Sequence, residues 1–153
     1  MQKDKNALIY FAQCDTTAGL LSHNPLALNA AKGRPTSQAI LLQVATLEIL
    51  KTHVRIPNVH KNRIRRAKKC SFIYPNNKAI RVVQESGINK LHLQFFNTHK
   101  SFYSTSANLS GAGFNQAWAE QISDVIVYDK RGFAQYSASK IYKINHSKIQ
   151  RKR

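Results

Sequence analysis

The most constraining feature of this sequence is a series of short apolar runs, each closed off by turn-forming or charged residues. They are Leu8–Ala12, Ala39–Val44, Ser71–Tyr74, Ala79–Val83, Ser101–Thr105, Asp124–Tyr128 and Ile141–Ile144. Runs of four to six residues rich in Val, Ile, Phe and Tyr suit buried strands and are too short for core helices. Helix signals lie between them. Asn24-Pro25 offers a cap and a first-turn proline for a helix that Gly33 would end, and Thr46 caps a second one through Leu50. Val59 to Lys69 has a thin apolar stripe of Val59, Ile64 and Ala67, and Asn115 to Ile122 is a further helix. Asn76-Asn77 turns a hairpin between two of the strands, while Ile88–Phe96 fits either period. Strands alternating with helices predict an α/β domain with a twisted mixed sheet flanked by helices. With 153 residues the chain has room for one such domain, expected over residues 1–147, followed by a basic tail at 148–153.

Charge narrows the partners. There are 24 Lys and Arg against 7 Asp and Glu, a net charge of +17, yet 42% of the residues are hydrophobic, as in ordinary globular chains. No acid lies between Glu48 and Glu85, or after Asp129. Solubilising surfaces mix signs, so acid-free basic blocks point to polyanions. Charge alone leaves open whether the anion is a nucleic acid or a nucleoside triphosphate; for RNA the expected contacts are Arg63, Arg65, Arg66, Lys68 and Lys69. No run of eighteen apolar residues occurs, so no membrane partner is expected. The start lacks a signal-peptide pattern, and Cys14 and Cys70 match no metal spacing; a reducing cytoplasm is the expected location. The six histidines are scattered and seven acids are too few for an all-protein magnesium cage, so no protein-bound metal is expected. Nucleophile elbows, Walker loops and HExxH motifs are absent from the sequence.

Three segments carry chemistry: Gln13–Leu20, read as a strand opening into a loop, Lys32-Gly-Arg-Pro35, and Ser104-Thr-Ser-Ala-Asn-Leu-Ser-Gly111. A hydroxyl-rich loop offers donors to phosphate oxygens, and a Lys and an Arg two apart can clamp a triphosphate. Singly, each pattern is common in turns and helix ends.

In this order, together with Ala79-Ile-Arg-Val82 and Ala138-Ser-Lys-Ile141, they resemble the YciO/YrdC family, whose active members are threonylcarbamoyl-AMP synthases. The resemblance runs from about Ile9 to Ile144 and rests most on Lys-x-Arg-Pro and Ser-Thr-Ser-Ala-Asn. It implies a YrdC-like single domain with an open basic cavity. It also implies ATP, L-threonine and bicarbonate as substrates, with Mg2+ carried mainly by the ATP phosphates. A separate threonylcarbamoyl transferase would pass the product to tRNA. By the same resemblance Lys32 and Arg34 hold phosphates and serve catalysis, while Ser104, Ser106 and Asn108 contact the nucleotide. Thr16, Arg81 and Ser139 would form the threonine pocket. The chain departs from the family pattern at Gln13-Cys14, at Ala18, and at Arg66-Ala-Lys-Lys69, where the family has Trp-Pro-Gly-Pro. The alternative is a non-catalytic YrdC-fold protein that binds tRNA or double-stranded RNA.

Overall fold

Each apolar run becomes a strand in the computed structural model, which describes residues 2–153. The chain divides into two compact units, one of residues 1–40 with Phe102–Ser137, the other of Leu41–Ser101 with Ala138–Arg153. Both are α/β, a mixed sheet with helices against it.

The first unit is built around β1 (Tyr10–Gln13) and β2 (Ala18–Ser22), an antiparallel pair in which Gln13 faces Ala18 across the loop Cys14–Thr17. All five residues of β2 are buried. β6 (Ser101–Ser106) runs antiparallel to β2, and β7 (Val125–Val127) lies parallel to β1. α1 (Pro25–Ala31) and α5 (Gln116–Ile122) close this core. Leu28 and Ala119 pack with Phe11, Leu20 and Ala107, and Trp118 and Ile122 line the edge. Both helices start as the sequence specifies: the Asn24 and Asn115 side chains accept from the amides of Leu26 and Trp118.

The second unit orders its strands β3-β5-β4-β8-β9. β3 (Leu41–Val44) is parallel to β5 (Ala79–Val82), and β5 forms the expected hairpin with β4 (Cys70–Ile73). The hairpin turns at Asn77, whose φ of 64° suits asparagine. β8 (Lys140–Ile144) adds parallel to β4, and β9 (Ile149–Arg151) antiparallel to β8. The helices here are α2 (Leu47–His53), α3 (Lys61–Arg66) and α4 (Lys90–His99). Among the described residues no helix is long and apolar enough to cross a membrane.

Four segments depart from the sequence expectations or resolve what they left open. The 59–69 helix is only six residues long, because the chain must straighten at Ala67 to enter β4. The ambiguous 88–96 segment is the helix α4, since His92 and Phe96, four apart, turn inward together. The segment Gln13–Leu20, read as a strand opening into a loop, already contains a second strand. The basic end, whose order the sequence leaves open, pairs with the sheet: Lys152 and Arg153 donate backbone bonds to Ile141, continuing the β8–β9 pairing.

Gly19 is where β2 comes closest to its neighbours. A Cβ there would lie 2.9 Å from Cys14 Sγ and 3.2 Å from the Thr105 carbonyl. Gly19→Ala is expected to cost about 1–3 kcal/mol by overpacking. Adding Cys14→Ala should recover part of the loss, because the sulfur is the nearer obstacle. Urea unfolding of both single variants and the double variant measures this, and additive losses would place the clash on the backbone alone.

Candidate functional site

Two groups of polar side chains are assembled, one in each unit. In the first unit α1 ends at Lys32, which caps the helix through its amide to Leu28 and Ala30. Its side chain is only 2% exposed. The ammonium donates to the Ser106 carbonyl at 2.7 Å, to Ser106 Oγ at 3.3 Å and to Asn108 Oδ1 at 3.4 Å. Ser106 Oγ also bonds Asn108 Oδ1, whose amide nitrogen donates to the carbonyls of Leu109 and Ala112. Asn108 therefore fixes both the loop after β6 and the lysine's position.

Arg34 follows the left-handed Gly33 (φ 66°) and donates to Thr105 Oγ1 at 3.2 Å. Its Nε is buried with no partner in the structure. Burial lowers the Lys32 pKa to about 8, with the nearby Arg34 charge adding to the effect. Burial also holds Arg34 below its usual value. Two cations kept this close will favour an anion that reaches them.

Of the residues singled out in the sequence, Lys32, Ser106 and Asn108 come together, and Arg34 meets the neighbouring Thr105. Ser104 is buried one pleat earlier on β6, and the hydroxyl that Arg34 meets is that of Thr105. Asn29 was missed. It is fully buried and its amide donates to the carbonyls of Thr36 and Gln38, pinning the loop that carries Arg34. An asparagine on the apolar side of a helix with no partner in its own turn is the signal that was available.

Thr16 is buried in the loop between β1 and β2. A second missed residue, Arg131, anchors that loop. It makes an ion pair of 2.6 Å with Asp129, and both side chains are nearly buried. It also donates to the carbonyls of Gln13 and Cys14 at 2.7 and 3.2 Å. Gln13, the departure from the family pattern, accepts from the Ala134 amide through its Oε1.

In the second unit Arg81 on β5 is buried, and its guanidinium donates to Ser71 Oγ at 3.4 Å. Ser71 and Ser139 hydroxyls meet at 3.1 Å, so Arg81 and Ser139 are joined through a serine that the sequence did not single out. Arg153 completes the chain: it donates to the Ser139 carbonyl at 3.0 Å and to its hydroxyl at 3.3 Å. Arg63, Arg65, Arg66, Lys68 and Lys69 all stand exposed, on α3 and the link to β4, and buried Ile64 anchors the helix. Among the described residues no three His, Cys, Asp or Glu side chains come together as a metal site.

The Lys32 shift has a thermodynamic sign. Between about pH 8 and 10.5 the unfolded chain holds a proton that the folded lysine has released. The penalty for burying the charge is therefore present below that window and fades as pH rises through it. Relative to Lys32→Met, the wild type should gain stability from pH 8 to 10, read as converging urea midpoints. Parallel midpoints across that range would mean an unshifted lysine.

No protein-family model matches the chain, and no curated protein matches it in sequence. Solved structures do. The structure of P. abyssi Sua5 complexed with L-threonine superposes with a TM-score of 0.79 at 18% identity, covering 97% of this chain and 51% of that one. A Methanobacterium thermoautotrophicum protein solved in solution gives 0.61 at 16% identity, covering 90% of this chain and 75% of that one. Full-length HypF in its phosphate- and nucleotide-bound form gives 0.69 at 14% identity, covering 96% of this chain and 27% of that one. The chain thus spans about half the length of the Sua5 structure. At these identities the likeness concerns the fold, and the chain has the Sua5/YrdC fold, an α/β architecture with a mixed sheet flanked by helices.

Proposed function

We propose that this chain condenses L-threonine, bicarbonate and ATP into threonylcarbamoyl-AMP and pyrophosphate, the activation step of a tRNA modification. The observation that carries the reading is the buried Lys32 ammonium on the Ser106–Asn108 loop, with Arg34 two residues on. A protein that only tracked an RNA backbone would need exposed charge. It would have no use for a desolvated lysine held by a hydroxyl and an amide. This favours the enzyme over the non-catalytic alternative. The Sua5 structure complexed with L-threonine supports threonine as the amino acid.

In this reading threonine's amine and bicarbonate first form an N-carboxy-threonine with loss of water. Its carbamate oxygen attacks the α-phosphorus of ATP, the bond to the bridging oxygen breaks, and pyrophosphate leaves with the electron pair. Lys32 and Arg34 neutralise charge building on the phosphate oxygens, and Ser104, Ser106 and Asn108 present hydroxyl and amide groups to the nucleotide. Arg81, backed by Ser71 and Ser139, offers its guanidinium to the threonine carboxylate, and the family resemblance alone assigns Thr16 to the same substrate. Mg2+ is assigned to the ATP phosphates rather than to side chains. No side-chain nucleophile takes part. A separate transferase would accept the product.

Pyrophosphate should appear only when ATP, threonine and bicarbonate are all present. Lys32→Ala combined with Arg34→Ala should abolish it, and Arg81→Gln should raise the threonine concentration required by at least about tenfold, the worth of one charge-assisted pair. A coupled phosphate assay reads both effects. A folded wild type that binds ATP but never turns over would remove the proposal.

A further inference from the structure

The turn that follows β7 reaches back to the loop between β1 and β2. Its sequence, Asp129-Lys-Arg-Gly132, builds it locally. The Asp129 carboxylate accepts from the Arg131 amide at 2.8 Å, and the Gly132 amide donates to the Asp129 carbonyl at 3.2 Å. Gly132 has a φ of 64°, a conformation that a side chain would strain. The turn leaves Lys130 in water and brings Arg131 inward. Just beyond it Phe133 stacks on the buried Phe11 ring, with centroids 4.1 Å apart. The next residue, Ala134, gives its amide to the Gln13 side chain at 2.8 Å and takes the Ala18 amide on its carbonyl at 2.9 Å.

The Arg131 fork divides its donors between two tasks. Nε and Nη2 hold one oxygen of the Asp129 carboxylate, at 3.0 and 2.6 Å. Nη2 also donates to the Gln13 carbonyl at 2.7 Å, and Nη1 to the Cys14 carbonyl at 3.2 Å. These are the last carbonyl of β1 and the first of the loop Cys14–Thr17. Peptide units are planar, so pinning two successive carbonyl oxygens restricts the rotations at Cys14. The direction in which Asp15 and buried Thr16 leave the strand is thereby set.

We infer that Arg131 is a positioning residue for the amino-acid substrate, aiming the loop that carries Thr16 without touching the substrate itself. The inference rests on the synthase reading, which gives Thr16 to threonine. A planar fork suits the task because one group must meet a carboxylate and two carbonyls at once. An ammonium in its place would keep the ion pair and lose the fork. Asp129 neutralises the Arg131 charge, so the residue adds little attraction for ATP, and its effect falls on the amino acid.

Arg131→Gln, Arg131→Lys, and Arg131→Gln combined with Asp129→Asn separate aiming from stability. Calorimetric titration with L-threonine and the KM values for threonine and ATP in the pyrophosphate assay are read beside urea midpoints. Arg131→Gln should weaken threonine binding and raise its KM about tenfold, while the ATP KM stays within about twofold. Its urea midpoint should fall, because Asp129 is left nearly buried and unpaired. Adding Asp129→Asn removes that stranded charge, so the midpoint should recover while threonine binding stays weak. Arg131→Lys should likewise keep much of the midpoint and lose the affinity. If Arg131→Gln alone does not fold, these two variants carry the comparison. Threonine affinity that recovers together with the midpoint would make Arg131 a purely structural residue and overturn the inference. Equal rises in the two KM values, or unchanged threonine binding throughout, would do the same. A wild type that binds threonine without turnover ends the synthase reading and leaves Arg131 to be judged by calorimetry. One that binds no threonine ends both.

Discussion

Taking the Lys32 ammonium out of water is the constraint around which the first unit is arranged. A buried lysine loses its proton unless its remaining donors find acceptors, and even with them its pKa falls to about 8. The acceptors come from the end of β6, so α1 must stop where its last residue overlooks Ser106 and Asn108. The β2–β6 register, with Gly19 opposite Ser106, sets where that strand end falls. Gly19 in turn has to lack a side chain, because Cys14 and the Thr105 backbone occupy the space. A helix end, a strand register and a glycine are thus tied to one amine. The Asn29 amide and the Arg131–Asp129 pair fix the two loops beside it.

The second unit handles cations in the opposite way. Apart from Arg81 its charges stay in water, where like-charge repulsion is screened within about 10 Å at moderate salt and costs little stability. Solvated cations gain their free energy on binding, by releasing counterions from a polyanion, so their number matters more than their exact placement. Buried cations gain it by preorganisation, so placement matters more than number. The two units show one physical choice resolved in each direction, and this is why a single net charge of +17 describes neither.

The sequence showed the apolar runs and caps plainly, because strand length and an Asn or Thr cap are local properties. It showed Lys32, Arg34, Ser106 and Asn108 as a resemblance in order, but not which hydroxyl meets which cation. That depends on a strand register set by long-range packing, which brings the Thr105 hydroxyl to Arg34. β2 was hidden by its composition, since Ala18-Gly19 is poor in strand-formers and is held by burial on both sides. β9 was hidden by charge. Its Arg151 and the flanking lysines read only as a basic tail, whereas the backbone bonds to β8 are indifferent to side chains.

The end of the chain shows how charge can conceal structure. Arg153 is exposed, yet its guanidinium holds both the carbonyl and the hydroxyl of Ser139. Ser139 in turn meets Ser71, the serine that accepts from Arg81. An arginine that donates to a hydroxyl orients that oxygen's lone pairs, so the hydroxyl proton is directed towards its next partner. If Ser139 donates to Ser71, then Ser71 is free to donate onward to an anion beside Arg81, and the run of three groups is polarised in one sense. In that orientation the Arg153 charge, just past β9, acts on the Arg81 cluster through hydrogen-bond direction. The β8–β9 pairing, and not the charge count, makes that effect specific to Ser139.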